Sequence, residues 1–502
     1  MMKFSAPEVV SNISKSHSAA ASGNALVAEE AAKALSDVLN ADVLYERLLL
    51  RAAAGAGKSY VLKRLVSEAT SNSNVARIAV TAFTNKQILP LARDLGKALG
   101  KDKVCLFIAK DKVEDMAQDI LDAVTVVGDM TAIPASTEVI VGTIHKLKSY
   151  PPIKYTNTLG PSVNGDYPFD VLFVDEAWQV AHHLFDAIKK FAPVVVGVGD
   201  VGQLPPLEVG ENPWRGDQGF NPYRAWPTEF EDGDDNTWVR ELPAVWRPTS
   251  PQLALWQSFY PDWDELNCVA GPGDRQMVIG EMSELATTIW KQVATGIPTL
   301  LEVDGLSPAD DPDVDFELVG VVESLLDELF QGGFTLSAAE MNDAGDPSGT
   351  TTKSSPKANS GDPLVAVLAT RNQTVDDATD AVDRIKEKYD LDPNDLVSST
   401  VDSWQGQTNG ITVAIHPLSG AFELDEFNSA FGRLAVTCTR ATHGLLMVTR
   451  PGLDDLLKDA PARPGTPLNE PGFRTLPRQT HSRILLTFAR GTVTWTKPKE
   501  ID

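Results

Sequence analysis

The sequence predicts an α/β protein with parallel sheets flanked by helices, and three observations carry that expectation. Short apolar runs that read as buried strands alternate with stretches of helical periodicity. The first such run, Leu48–Leu50, passes through a turn of small residues into Lys58-Ser59 and a helix marked by Val61, Leu62, Leu65 and Val66. The same alternation resumes at Leu364–Thr370, a strand, followed by a stripe at Val375, Ala378, Val382 and Ile385. A chain of 502 residues has room for two or three cores of ordinary size.

Apolar content of 42% and charged content of 23% are those of a water-soluble globular protein. Cys105, Cys268 and Cys438 are far apart, without metal-ligand spacing, and read as plain thiols in a reducing compartment. No stretch nears the roughly 20 apolar residues of a membrane span, and the first residues lack a long apolar segment. The expectation is a cytoplasmic protein with no membrane partner. A net charge of −25 argues on its face against nucleic acid, because the mean field repels phosphate. Its distribution argues otherwise. Acid-free windows bearing Lys or Arg recur at 47–67, 69–93, 139–165, 427–453 and 471–499, which suits a local basic track on an acidic body.

Residues 1–40 are rich in Ala and Ser, with a helix expected around Ala25–Leu39 and no chemistry of their own. Next, Arg51-Ala-Ala-Ala-Gly-Ala-Gly-Lys-Ser59 stands between strand and helix, the context that makes a phosphate-loop reading credible. Gly55 and Gly57 let backbone N–H groups turn inward without side-chain clash, and the helix start that follows adds partial positive charge at the same point. Lys58 would reach the terminal phosphates, and the Ser59 hydroxyl would hold Mg²⁺. A strand then runs from Arg77 into Phe83, Thr84, Asn85 and Lys86; an aromatic beside small polar and basic groups can stack a base and hold phosphate. The strand Val139–Thr143 leads to His145, Lys146, Lys148 and Tyr150, where basic and aromatic residues interleave.

Asp170–Asp175 is an apolar strand ending in the pair Asp175-Glu176. The first carboxylate can hold a Mg²⁺-bound water and the second can polarise an attacking water. The following strand delivers Asp200 and Gln203 to the same sheet edge, where ligands bind in open α/β sheets. An irregular stretch holds Trp214, Arg215, Tyr223, Arg224 and Trp226, read as surface packing ahead of base stacking. Arg247 is a candidate charge clamp. Residues 342–363, rich in Gly, Ser, Thr, Asp and Pro, are expected to be a disordered loop. Further on come Asp402-Ser-Trp-Gln-Gly406 and two strand-like runs flanking Thr439-Arg440. A Pro-rich connector precedes 484–496, read as a small basic hairpin, with Arg474, Arg478, Arg483, Arg490, Lys497 and Lys499 nearby.

Taken together, these stretches resemble the ordered motif set of a superfamily 1 helicase, in its UvrD/Upf-like form. Ala52–Ser59 resembles motif I, Arg77–Gln87 motif Ia, Val141–Leu147 the motif near Ib, and Val174–Gln179 motif II. Gly199–Pro206 is similar to motif III, Leu242–Arg247 to motif IV, Thr400–Gly406 to motif V and Arg433–Ala441 to motif VI. Thr408 stands where motif V usually has a glutamate, and Ala435 where many relatives have asparagine in motif VI. The resemblance implies two tandem RecA-like P-loop domains with ATP between them, short insertions and a small C-terminal β element. It divides the chain into an N-terminal helical extension (1–40), a first domain (41–246), a second domain (247–455) and a tail (456–502).

By position, the resemblance implies that Lys58, Glu176, Gln203, Arg247 and Arg440 are catalytic, the two arginines acting as fingers from the second domain. It further implies nucleotide contacts from Gly55, Ala56, Gly57, Lys58, Ser59, Tyr60 and Gly406, and Mg²⁺ at Ser59 and Asp175. Phe83, Thr84, Asn85, Lys86, Thr143 and His145 would touch a single strand, DNA ahead of RNA. The implied activity is ATP-driven movement along that strand, with the Q-L-P-P and V-D-S-x-Q-G forms pointing to the 5′→3′ branch and replication, repair or RNA-processing proteins as partners. The competing expectation is a P-loop ATPase switch that regulates or remodels a partner without unwinding.

Overall fold

The computed structural model describes residues 2–163, 165–204, 206, 222–230, 233–309, 315–370, 372–424, 428, 431–460 and 477–495. Nineteen strands lie among them. The first eight are β1 (Arg47–Ala52), β2 (Ile78–Ala82), β3 (Val104–Phe107), β4 (Thr125–Val127), β5 (Val139–Thr143), β6 (Val171–Asp175), β7 (Val194–Gly199) and β8 (Thr237–Leu242). They form one sheet in the order β4-β3-β5-β2-β6-β7-β1-β8, every pairing parallel. Strands β2, β3, β6 and β7 are buried along their whole length, as expected when helices cover both faces of a parallel sheet. Because all the strands point one way, the ends of β1, β2, β5, β6 and β7 share one edge, and the residues singled out in the sequence stand along it.

Helix α1 (His17–Leu39) packs on α2 (Lys58–Ser71), whose Val61, Leu62, Leu65, Val66 and Ala69 face the core. Helix α3 (Asn85–Leu99) starts at a reciprocal cap. Thr84 Oγ1 accepts from the Gln87 N–H, while the Gln87 side chain accepts from the Thr84 N–H.

The remaining strands are β9 (Ala244–Val245), β10 (Asn267–Cys268), β11 (Arg275–Ile279), β12 (Thr299–Asp304), β13 (Phe334–Met341), β14 (Pro347–Ser354), β15 (Val365–Ala369), β16 (Leu396–Thr400), β17 (Asn409–Ile415), β18 (Ala441–Thr449) and β19 (Ala489–Thr494). A second all-parallel sheet runs β16-β15-β17-β18-β12-β19. Two parallel sheets flanked by helices bear out the α/β architecture. A small parallel pair, β9 with β10, and an antiparallel arm, β11-β13-β14, lie between them in the chain.

Several local features depart from the sequence reading. The stretch 342–363, expected to be disordered, contains β14, which pairs with β13 across a turn held by Asn342 Oδ1. Its Thr and Ser residues look like loop composition because this strand is exposed along nearly its whole length. The expected hairpin at 484–496 is helix Pro477–Leu485 followed by the single strand β19, which joins β12 in parallel. Of the two strand-like runs around Thr439-Arg440, the first is helix Phe431–Cys438. The N-terminal helix begins eight residues before Ala25, at His17, its alanines giving little apolar contrast to mark a start. Trp226 is fully buried and stacks on Phe185 at 4.0 Å, while Trp214, Arg215, Arg474, Lys497 and Lys499 lie outside the described residues.

All three cysteines are buried thiols. Among the described residues no helix is long and apolar enough to cross a membrane.

Candidate functional site

At the end of β1 the chain turns through Gly55 (φ +74°) and Gly57 (φ +94°) into α2. These left-handed values are costly for any residue with a Cβ. Gly57 faces open space, whereas a Cβ at Gly55 would come 2.4 Å from Arg247 Cβ. The turn is held from outside at several backbone groups. The Tyr260 hydroxyl accepts from Ala54 N–H (3.1 Å), Trp256 Nε1 donates to Ala54 O (2.9 Å), Trp246 N–H to Gly55 O (2.8 Å) and Asn24 Nδ2 to Ala56 O (2.9 Å). Asn24 also donates to Ala244 O and accepts from Ala244 N–H, so α1 staples the turn to the segment after β8. The N-terminal extension, read as having no chemistry, is therefore part of the cradle.

Lys58 Nζ bonds Glu176 Oε1 at 2.6 Å, and both side chains are 13% exposed. Burial disfavours the ammonium, but Glu176, Asp200 and Asp175 together outweigh that and hold it above the ordinary lysine value. Asp175 ends β6. Burial, then the adjacent Glu176, push its carboxyl up to about 7, against the pull of Lys58 and of the Glu176 N–H that donates to it. Glu176 takes a left-handed backbone (φ 51°, ψ 45°), a conformation sparsely populated outside glycine and common at functional sites.

Asp200, past the end of β7, accepts from the Tyr260 hydroxyl (2.8 Å), Gly202 N–H (2.9 Å) and Gln203 Nε2 (2.6 Å). Burial raises its pKa although Lys58 opposes the shift.

The second half of the chain closes over this edge. Arg247 Nη1 donates to Thr439 O (3.0 Å), and a Cβ on Gly432 would meet Gln203 O at 2.7 Å. Arg440 is 1% exposed and donates to Val436 O, Gln407 O and Thr439 Oγ1. Burial, then repulsion from Arg247, lower its pKa to about 9, while Asp200 and Glu176 pull the other way. Two guanidinium groups are thus withdrawn from water and close enough to repel, with Asp200 and Glu176 near enough to pull on both. Gly406, with φ +81°, sits in an exposed turn next to Gln407, whose carbonyl accepts from Arg440. Ser59 and Tyr60 are exposed on the first turn of α2.

The structure thus brings Gly55, Ala56, Gly57, Lys58, Asp175, Glu176, Gln203, Arg247 and Arg440 to one cleft. Sequence reasoning missed Asn24, Trp256 and Tyr260, which carry no local signature and reach the loop only through the tertiary fold.

A second cluster occupies neighbouring strand ends. Ala82 of β2 pairs with Thr143 of β5, so Phe83 and His145 face one another, ring centroids 5.6 Å apart. Thr84, Asn85, Lys86 and His145 are exposed, and Phe83 and Thr143 half-buried. Thr143 Oγ1 accepts from Lys146 N–H. Burial, then Lys148, lower the His145 pKa. All six residues expected at a strand lie here, one short step along the sheet edge from the cleft.

Residues 33–208 match the AAA domain family. The match bears out the kinship read from the motifs, and the chain is similar to superfamily 1 helicases. No curated protein is close enough to count as a match. Among solved structures, the PRRSV helicase is 14% identical over 82% of this chain and 54% of that one, with a TM-score of 0.37. A complex of arterivirus nonstructural protein 10, a helicase, with DNA is 14% identical over 86% of this chain and 65% of that one, with a TM-score of 0.39. Superpositions this loose carry no argument, and the chain spans less than two thirds of either.

Proposed function

We propose that this protein is an ATP-hydrolysing motor that moves along single-stranded nucleic acid, with DNA as the first strand to test, and that residues 41–246 and 247–455 are the two halves between which ATP is split. The observation that carries the reading is the cleft itself. A lysine and two carboxylates stand with Arg247 and Arg440 around a loop that turns through Gly55 and Gly57, both in left-handed backbone.

In this reading Lys58 leaves Glu176 for the terminal phosphates, which frees that carboxylate to orient the attacking water. Gln203, tied to Asp200, senses the outermost phosphate, and Gly55 to Tyr60, with Gly406, surround the nucleotide. Arg247 and Arg440 stabilise charge that develops on the transferred group, an effect of about 10³–10⁵ in rate for such arginines.

Mg²⁺ fits the residues present. Asp175 is a buried carboxylate whose pKa is pushed up to about 7, a group that a dication would return to its charged form, and Ser59 offers an exposed hydroxyl one residue from Lys58. Phosphate oxygens and water would supply its remaining contacts, as is usual for this ion. When bound it would neutralise phosphate charge.

The strand would lie across Phe83, Thr84, Asn85, Lys86, Thr143 and His145. Closure and reopening of the halves at each turnover would shift the grip along it. The 5′→3′ direction is part of the proposal. ATP turnover with and without single-stranded DNA or RNA tests the reading, and strand displacement from 5′- and 3′-tailed duplexes tests direction. Turnover that no strand accelerates would refute it in favour of a nucleotide switch.

A further inference from the structure

An unbroken line of hydrogen bonds joins the exposed head of α3 to the carboxylate of Glu176. Thr84 N–H donates to Gln87 Oε1 (2.9 Å), Gln87 Nε2 to Gln179 Oε1 (3.0 Å), and Gln179 Nε2 to Glu176 Oε2 (3.4 Å). The other oxygen of Glu176 receives Lys58. The line runs one way only. A backbone N–H can only donate, so the Gln87 amide must present its oxygen to Thr84 and its NH₂ to Gln179. Gln179 must then turn its own NH₂ toward Glu176. Gln179 is 9% exposed, so an amide pointing the wrong way would set like poles together out of reach of water. The two glutamines are 92 residues apart in sequence, so no local geometry obliges them to meet.

We propose that the Gln87–Gln179 pair positions Glu176 according to whether a strand occupies the head of α3, and so links strand binding to ATP hydrolysis. The inference rests on the function proposed above and names two positioning residues that lie outside both the cleft and the strand contacts. A phosphate arriving at Thr84, Asn85 and Lys86 draws on the same N–H groups that Gln87 caps. The Gln87 side chain accepts from Thr84 N–H, and a charged phosphate oxygen competes well with a neutral amide oxygen for that donor. A shift of the Gln87 amide is passed to Gln179, and from there to the carboxylate that orients water. No movement of the sheet is needed.

Two variants separate this link from the capping role of Gln87. Gln87→Glu keeps an oxygen for Thr84 N–H but has no hydrogen for Gln179; Gln87→Leu loses both. ATP turnover is measured with and without saturating oligothymidylate, and oligothymidylate affinity by fluorescence anisotropy. With a typical coupling of about 5–150-fold to lose, both variants should keep unstimulated turnover and strand affinity within about twofold of wild type while stimulation falls about tenfold. Gln179→Leu should lose stimulation as well. Wild-type stimulation in Gln87→Glu would reduce Gln87 to a helix cap and overturn the proposal. A fall in affinity that parallels the loss of stimulation would make Gln87 a strand contact and overturn it equally. If wild type itself shows no stimulation by any strand, the proposed function falls first and the link with it.

Discussion

At the scale of the residue, the cleft crowds buried charges of both signs against one another. Lys58→Ala removes the counter-charge of Asp175, Glu176 and Asp200, and ATP turnover should drop at least about 100-fold in a phosphate-release assay, as for loss of a major transition-state contact. Arg440→Ala should lower kcat more than KM, because its charge is met only as the transition state forms. Asp175 has a pH signature in the ligand-free protein. Its folded pKa, about 7, lies above the ~3.9 of an unfolded aspartate. Its contribution to stability is therefore complete below about pH 4 and is lost as pH rises through 7. Asp175→Asn should accordingly raise the melting temperature by about 2–4 °C at pH 8 and leave it unchanged at pH 4. A lower melting temperature at pH 8 would show that Asp175 is stabilised by its partners rather than strained by them.

At the scale of the element, the phosphate loop is held by pieces distant in sequence. Tyr260→Phe deletes the hydroxyl shared by Ala54 N–H and Asp200 and leaves a buried donor unmet, so urea unfolding should report a loss of about 1–3 kcal/mol. Asn24→Ala should cost a similar amount while also weakening nucleotide binding. What the sequence made legible follows from the same distinction. Strands such as β6 and β7 are continuous apolar runs, and a parallel sheet delivers every strand end to one edge. Asp175, Glu176, Asp200 and Gln203 were readable for that reason. Tyr260, Trp256 and Asn24 were not, because each sits in an ordinary helical or loop pattern and acquires its role only by crossing to another element. The arm strand β14 was missed, and the edge strand β19 was taken for part of a hairpin, for a different reason. A strand wet on both faces lacks the alternation that marks one, and a strand that ends a sheet in parallel gives no turn signal.

At the scale of the whole molecule, the proposed function asks an acidic body to hold an acidic polymer. The residues offered to the strand include few cations, Lys86 and a weakly basic His145 among them, so binding should rely on stacking at Phe83 as well as on charge. Single-strand affinity should fall with salt at a log–log slope of about −0.7 per phosphate neutralised, and a slope between about −0.7 and −1.4 by anisotropy would match so sparse a set. Phe83→Ala should weaken the complex by about 1–3 kcal/mol at any salt concentration. The contact between the halves bears on a different matter. With Gly432 of the second half lying against Gln203 of the first, the halves touch at the rim of the site, and a nucleotide that enters between them has to part that contact. Loading should then wait on an unlatching event, so the observed rate of uptake of a fluorescent nucleotide should level off as its concentration rises, the plateau measuring how often that contact parts.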